Sequence, residues 1–222
     1  IDNCYNQGDV TTNFVTGGVA GRNYGTIENT YNSGEIIGDG KVGGIAGGGT
    51  GTYDSCYNLG NITSNSTQRE VSATGISPNG ANINRCFNMG KIDATMTGDQ
   101  AAFASGIGAA TEVNNSYNLG EVIANNPEYA GNSKYATAAG IVAYPGNTIN
   151  NCYNVGNITS SSNQPYSMAS GIAYGCIIAN SYNLGTVKAI ASENTRVQCG
   201  GISCHSEGRN ITNSYNIGKV EY

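Results

Sequence analysis

The sequence predicts an all-β chain wound into a right-handed parallel β-helix, a β-solenoid of about eight coils with three short strands each. Three observations carry that expectation. The phrase Ile149-Asn-Asn-Cys-Tyr-Asn-Val-Gly-Asn-Ile158 recurs in eight copies, which begin at Ile1, Ile27, Tyr53, Ile83, Val113, Ile149, Ile178 and Ile211. Its aromatic residues lie 26, 26, 30, 30, 36, 29 and 33 positions apart, the period of an array whose units bury their apolar faces against one another. No 3.6-residue periodicity runs long enough for a helix of three turns.

Within a unit, the first strand is the Ile-x-Asn-small-Tyr piece and the second is the Ile or Val that follows its glycine, as at Ile36 and Ile62. The third is a Gly-Ile-Ala-like phrase that starts at Gly18, Gly44, Gly75, Gly106, Gly140, Gly171 and Gly201. Short β-branched and aromatic pieces separated by Gly and Asn are strands joined by bends. Stacking at ~4.8 Å per coil gives a rod of roughly 35–40 Å, and the hand follows the rule for parallel crossovers. The repeat spans 1–222, so the chain is expected to be a single β-helix domain and a fragment of a longer protein.

Length varies mainly between the second and third strands. The links are short at Thr11 to Thr16 and Ile37 to Val42. They lengthen at Thr63 to Thr74, Asp93 to Ser105, Ile123 to Ala139, Thr159 to Ser170 and Lys188 to Gly200. Insertions at one corner of a solenoid are expected to project as loops from one side, often the binding side.

Two columns never break. Asn6, Asn32, Asn58, Asn88, Asn118, Asn154, Asn183 and Asn216 follow the aromatic in every copy. They are expected to form a structural amide ladder at a bend that demands left-handed backbone, with the glycine two residues later serving the same turn. The aromatic column is Tyr5, Tyr31, Tyr57, Phe87, Tyr117, Tyr153, Tyr182 and Tyr215. Strand alternation from the Ile four residues earlier points these rings inward as a stack in the core. Outward rings would instead give a flat platform for sugars.

Before each aromatic stands a small residue: Cys4, Thr30, Cys56, Cys86, Ser116, Cys152, Ser181 or Ser214. Exchange of Cys with Ser and Thr indicates a site for a small side chain, occupied by free buried thiols. Cys176, Cys199, Cys204 and His205 fall outside this column. Their spacing matches no structural zinc pattern, and a local disulfide between two of these three cysteines is the preferred reading.

Charged residues make up only 11% of the chain, with 33 Gly, a single histidine and a net charge of −5. Without a Lys/Arg cluster to offset that charge, no nucleic-acid partner is expected. The chain also has no apolar run of membrane-spanning length, so no membrane insertion is expected. Catalytic inventory is poor: acids such as Glu28, Glu35, Asp54, Glu112 and Glu121 do not recur at one position, and no nucleophile elbow accompanies His205. No catalytic residue, cofactor or metal is therefore expected.

Gly43-Gly-Ile-Ala-Gly47 followed by Tyr53-x-x-Cys-Tyr-Asn-Leu-Gly-Asn-Ile62 resembles the GLUG-type bacterial repeat. Ser116-Tyr-Asn-Leu-Gly120 and Ser214-Tyr-Asn-Ile-Gly218 come closest. The resemblance implies an exported, extracellular or cell-surface bacterial β-solenoid. It implies a non-catalytic, adhesin-like or spacer module beside flanking domains of the same polypeptide. Its expected partner is a glycan or a host or matrix protein, held through the inserted loops. A carbohydrate-active β-helix enzyme, of polysaccharide lyase or hydrolase type, is the alternative.

Overall fold

In the computed structural model the described residues are 1–127, 135–163, 166–192, 196–206 and 208–222, and these contain strands, turns and bends without a helix. Four parallel sheets run along the solenoid, with eight, eight, seven and seven strands. Every strand pairs with its equivalents in adjacent coils, for example Tyr5 with Tyr31, Ile62 with Ile92 and Ile83 with Val113. The eight copies of the phrase thus close seven turns.

The third coil shows the plan. Its strands Thr52–Asp54, Tyr57–Asn58, Ile62–Ser66 and Val71–Thr74 belong in turn to sheets I, II, III and IV. Each coil has a fourth strand because the first sequence piece is broken. The residue two before each aromatic has positive φ, from 46° to 54°, at Asn3, Asn29, Ser55, Arg85, Asn115, Asn151, Asn180 and Asn213. This left-handed residue separates sheet I from sheet II.

The bend also explains the repeating Cys/Ser/Thr position. Its side chain donates back across the left-handed residue to a carbonyl two positions earlier. Thr30 Oγ1 reaches the Glu28 carbonyl at 2.7 Å, Ser116 Oγ reaches Asn114 at 2.7 Å and Cys86 Sγ reaches Asn84 at 3.2 Å. A hydroxyl or thiol serves equally, which accounts for the exchange.

The Gly-Ile-Ala phrase is a tight corner with isolated bridges, such as Ala20 to Ala46, and is not a continuous strand. At Gly44, the glycine found at this corner in every coil, a Cβ would stand 2.2 Å from the Gly75 carbonyl oxygen, so the corner closes only on glycine. Sheet IV is built instead from residues of the preceding link. The long links therefore lengthen sheets III and IV, as in Ile92–Met96 and Ala102–Ser105. This corrects the expectation of free loops over the described residues; residues 128–134, 164–165 and 193–195 of those links lie outside them.

Two apolar compartments fill the interior. One joins the isoleucines of sheet I (Ile27, Ile83, Ile149) to the corner isoleucines (Ile45, Ile107, Ile172) and to Cys56, Cys86 and Cys152. The other lies between sheets III and IV and is rich in alanine, including Ala73, Ala94, Ala104, Ala124 and Ala138. Small facing side chains let these two sheets approach closely. Ser160 Oγ even spans the gap to donate to the Ala136 carbonyl at 3.0 Å.

Candidate functional site: side-chain ladders and a tyrosine-walled cleft

The Asn side chains of sheet II point inward and are fully buried from Asn32 to Asn183. Each Nδ2 group makes two bonds. Asn58 Nδ2 donates to its own Gly60 carbonyl at 2.7 Å and to Asn88 Oδ1 in the next coil at 2.8 Å. The same pair of bonds recurs from Asn6 to Asn183, and Asn216 at the end donates to Gly218. Corner glycines make room for the amides: a Cβ on Gly106 would lie 2.4 Å from Asn118 Cγ.

These Asn residues do not carry the left-handed backbone assigned to them from sequence; that falls on the residue before the Cys/Ser/Thr position. The glycine two residues on is also needed for a different reason. At Gly120 a Cβ would stand 2.0 Å from the Gly90 carbonyl oxygen, so coil-to-coil approach excludes a side chain there.

The aromatic column faces outward. Tyr5 and Tyr215 are exposed, and Tyr31 to Tyr182 are half-buried. The inward placement fails because the left-handed residue intervenes and breaks the strand alternation on which it rested. Successive rings stack at 4.7–5.3 Å with interplanar angles of 1–14°. Neighbouring rings cover one another's faces and leave edges to solvent, so the column is not a flat sugar platform either.

Beside it runs an exposed aliphatic column absent from the sequence expectations: Leu59, Met89, Leu119, Val155, Leu184 and Ile217. The signal was there in the period-two order Tyr-Asn-Leu, which sets the aromatic and the aliphatic on one face.

The cysteines at the C-terminal coils do not form the expected disulfide. Cys176, Cys199 and Cys204 are free, as are the other four. Cys176 Sγ instead donates to the Tyr144 and Tyr174 carbonyls, each at 3.3 Å. Burial pushes the Cys204 thiol up to about 11 and the Cys152 thiol up to about 12. Among the described residues no three His, Cys, Asp or Glu side chains converge as a metal-holding group. No helix there is long and apolar enough to cross a membrane.

The long links bring a different set of residues together. On the outer face of sheet IV, Tyr135, Tyr166 and Arg196 stand in register, and Met168 and Gln198 form the next outward column. Across from them the corner supplies Tyr174 and His205, whose rings stack at 5.4 Å. Together they enclose a cleft of about 330 Å³.

Next to Tyr135, Phe103 stacks on Tyr144 at 4.2 Å and meets Tyr135 edge-on at 5.4 Å. Burial, reinforced by the charge of Glu70, raises the Tyr135 phenol, so it remains a hydrogen-bond donor. Arg196 lies 5.8 Å from the Tyr166 ring centroid, and its Nη1 donates to the Tyr166 hydroxyl at 3.4 Å. Chemically, the cleft offers aromatic walls, an apolar floor with one amide and a guanidinium at the rim. Comparison with protein-family models, curated proteins and solved structures finds no match to this chain.

Proposed function

We propose that this β-solenoid is a non-catalytic, adhesin-like module of an exported bacterial surface protein of the GLUG-like kind, and that it holds a glycan. The observation that carries this reading is the cleft beside Tyr135, Tyr166 and Tyr174, which combines apolar ring surfaces with polar edges. Its floor and one wall come from the inserted links, so the expected contact through insertions is kept, with strands in place of loops.

The scaffold supports the same role. Paired backbone and buried amide ladders hold the walls on rigid elements. A composition low in charge and rich in Gly, Asn, Ser and Thr suits an extracellular location, beside flanking domains of the same polypeptide. The test is a binding screen of the 222-residue chain against plant polysaccharides, mucin glycans and matrix proteins, with substrate breakdown followed in the same wells. Saturable glycan binding that Tyr166→Ala and Tyr174→Ala weaken, without breakdown, is the expected result. Released oligosaccharides would make the chain a carbohydrate-active enzyme; silence in every well would leave a spacer.

A further inference from the structure

The geometry points to a carboxylated pyranose, a uronic or sialic acid unit, as the sugar held in the cleft, an assignment that rests on the glycan reading above. The first argument is size. At about 330 Å³ the cleft sits near the lower end of the range for ligand sites, roughly 300–1,000 Å³, which suits a short stretch of sugar rings.

The second is the pattern of polarity. A pyranose has apolar C–H faces and a hydroxyl rim. Tyr166 and Tyr174 offer ring surface from opposite walls, and the Tyr135 and Tyr166 hydroxyls and the Gln198 amide supply polar atoms at their edges.

The third is charge. The chain carries 15 Asp and Glu against 10 Lys and Arg, yet among the described residues the cleft lining contains Arg196 and no carboxylate. Glu70 raises the phenols of Tyr135 and Tyr144 but is not itself among the lining residues. Among the described residues Arg196 forms no ion pair, and its contact with Tyr166 holds the guanidinium at the rim. In that position its fork of N–H donors matches a carboxylate in bidentate fashion. Arg196 takes, in strand register, the place that Tyr135 and Tyr166 occupy in the two preceding coils. A ligand lying along the solenoid axis therefore meets two rings and then a cation.

The experiment is calorimetric titration of the 222-residue chain with two matched pairs of probes. Oligogalacturonate is compared with its methyl ester, and sialyllactose with lactose. At least one acidic probe is expected to bind ten-fold or more tightly than its neutral partner, and the pair that shows the difference identifies the source. Arg196→Gln should abolish that difference with an unchanged melting temperature, and Arg196→Lys should restore only part of it. Equal affinity within both pairs overturns the carboxylate assignment and leaves the glycan reading standing. Failure of every saccharide alongside binding to a matrix protein, or to nothing, overturns both.

Discussion

Asn118→Ala tests the amide ladder at its centre. The wild-type side chain accepts from Asn88 Nδ2 at 2.8 Å and donates to Gly120 O at 2.7 Å and Asn154 Oδ1 at 2.8 Å, with no exposure to solvent. Alanine removes all three bonds and brings no water in return. Asn88 keeps its other bond, to Gly90 O at 2.8 Å, so the orphans are one of its N–H groups, Asn154 Oδ1 and part of the Gly120 carbonyl. A buried unsatisfied group costs about 1–3 kcal/mol, and two at the lower end of that range give a loss of about 2 kcal/mol. Asn6→Ala, in a half-exposed terminal coil where water substitutes, should cost less than about 1 kcal/mol. The assay is urea unfolding followed by far-ultraviolet dichroism and by tyrosine fluorescence, whose transitions must coincide before a single free energy is extracted. Asn118→Asp adds a check on sign. Its carboxylate would face Asn154 Oδ1 and the Gly120 carbonyl, so it should destabilise more than alanine at pH 7. At pH 4 protonation creates a donor and it should destabilise less. Equal, small losses at Asn118 and Asn6 would refute the claim that buried amide bonds hold the coils in register.

Further outcomes follow from the same geometry. Gly120→Ala, whose Cβ would meet a carbonyl oxygen at 2.0 Å, should lose at least about 2 kcal/mol in the same assay, whereas Gly25→Ala, with nothing within 4 Å, should stay within about 0.5 kcal/mol of wild type. Ser55→Asn places the residue most tolerant of left-handed backbone at φ 53°, and a gain of about 0.5 kcal/mol is expected; a loss would show that Ser55 has a role beyond the bend. Native thiol labelling should modify exposed Cys4 first and buried Cys56, Cys86, Cys152 and Cys176 only on unfolding, and Cys4→Ser should remove the fast phase. Thiols at Cys152 and Cys204 are protonated at pH 7 in both folded and unfolded chains. Above the ordinary value of 9.0 the unfolded thiols ionise while the folded ones resist until about 12 and about 11, so the melting temperature should fall as pH rises through that window. A flat profile from pH 7 to pH 10 would contradict their burial.

What the sequence carries about this fold is its periodicity. One phrase copied eight times specifies parallel stacking and in-register pairing, because each copy has only its neighbours to bury against. The direction of the tyrosines is encoded too, in a feature that strand alternation overlooks. Asn stands two residues before the aromatic in six of eight copies, at Asn3, Asn29, Asn115, Asn151, Asn180 and Asn213, and Asn is the non-glycine residue most at home with positive φ. Reading the bend there, and not at the Asn after the aromatic, turns the rings outward. The cleft has no such signal. Tyr135 and Tyr166 belong to links without a shared pattern, and Tyr174 and His205 meet only after the corners have folded against sheet IV.

That division has a physical cause. Residues repeated in every coil are consumed by contact with their own copies: Asn amides bond to Asn amides, tyrosine faces cover tyrosine faces, and corner glycines close over the ladder. A side chain so engaged can hold a scaffold but has little left to offer a ligand. Departures from the repeat escape that constraint. Arg196 in line with two tyrosines, and a histidine stacked on Tyr174 at 5.4 Å, have no identical neighbour to pair with. They gather on sheet IV because the link leading into it is where length varies and therefore where unlike residues are admitted. On the reading proposed above, recognition belongs to the coils that break the pattern, and here those are the last three.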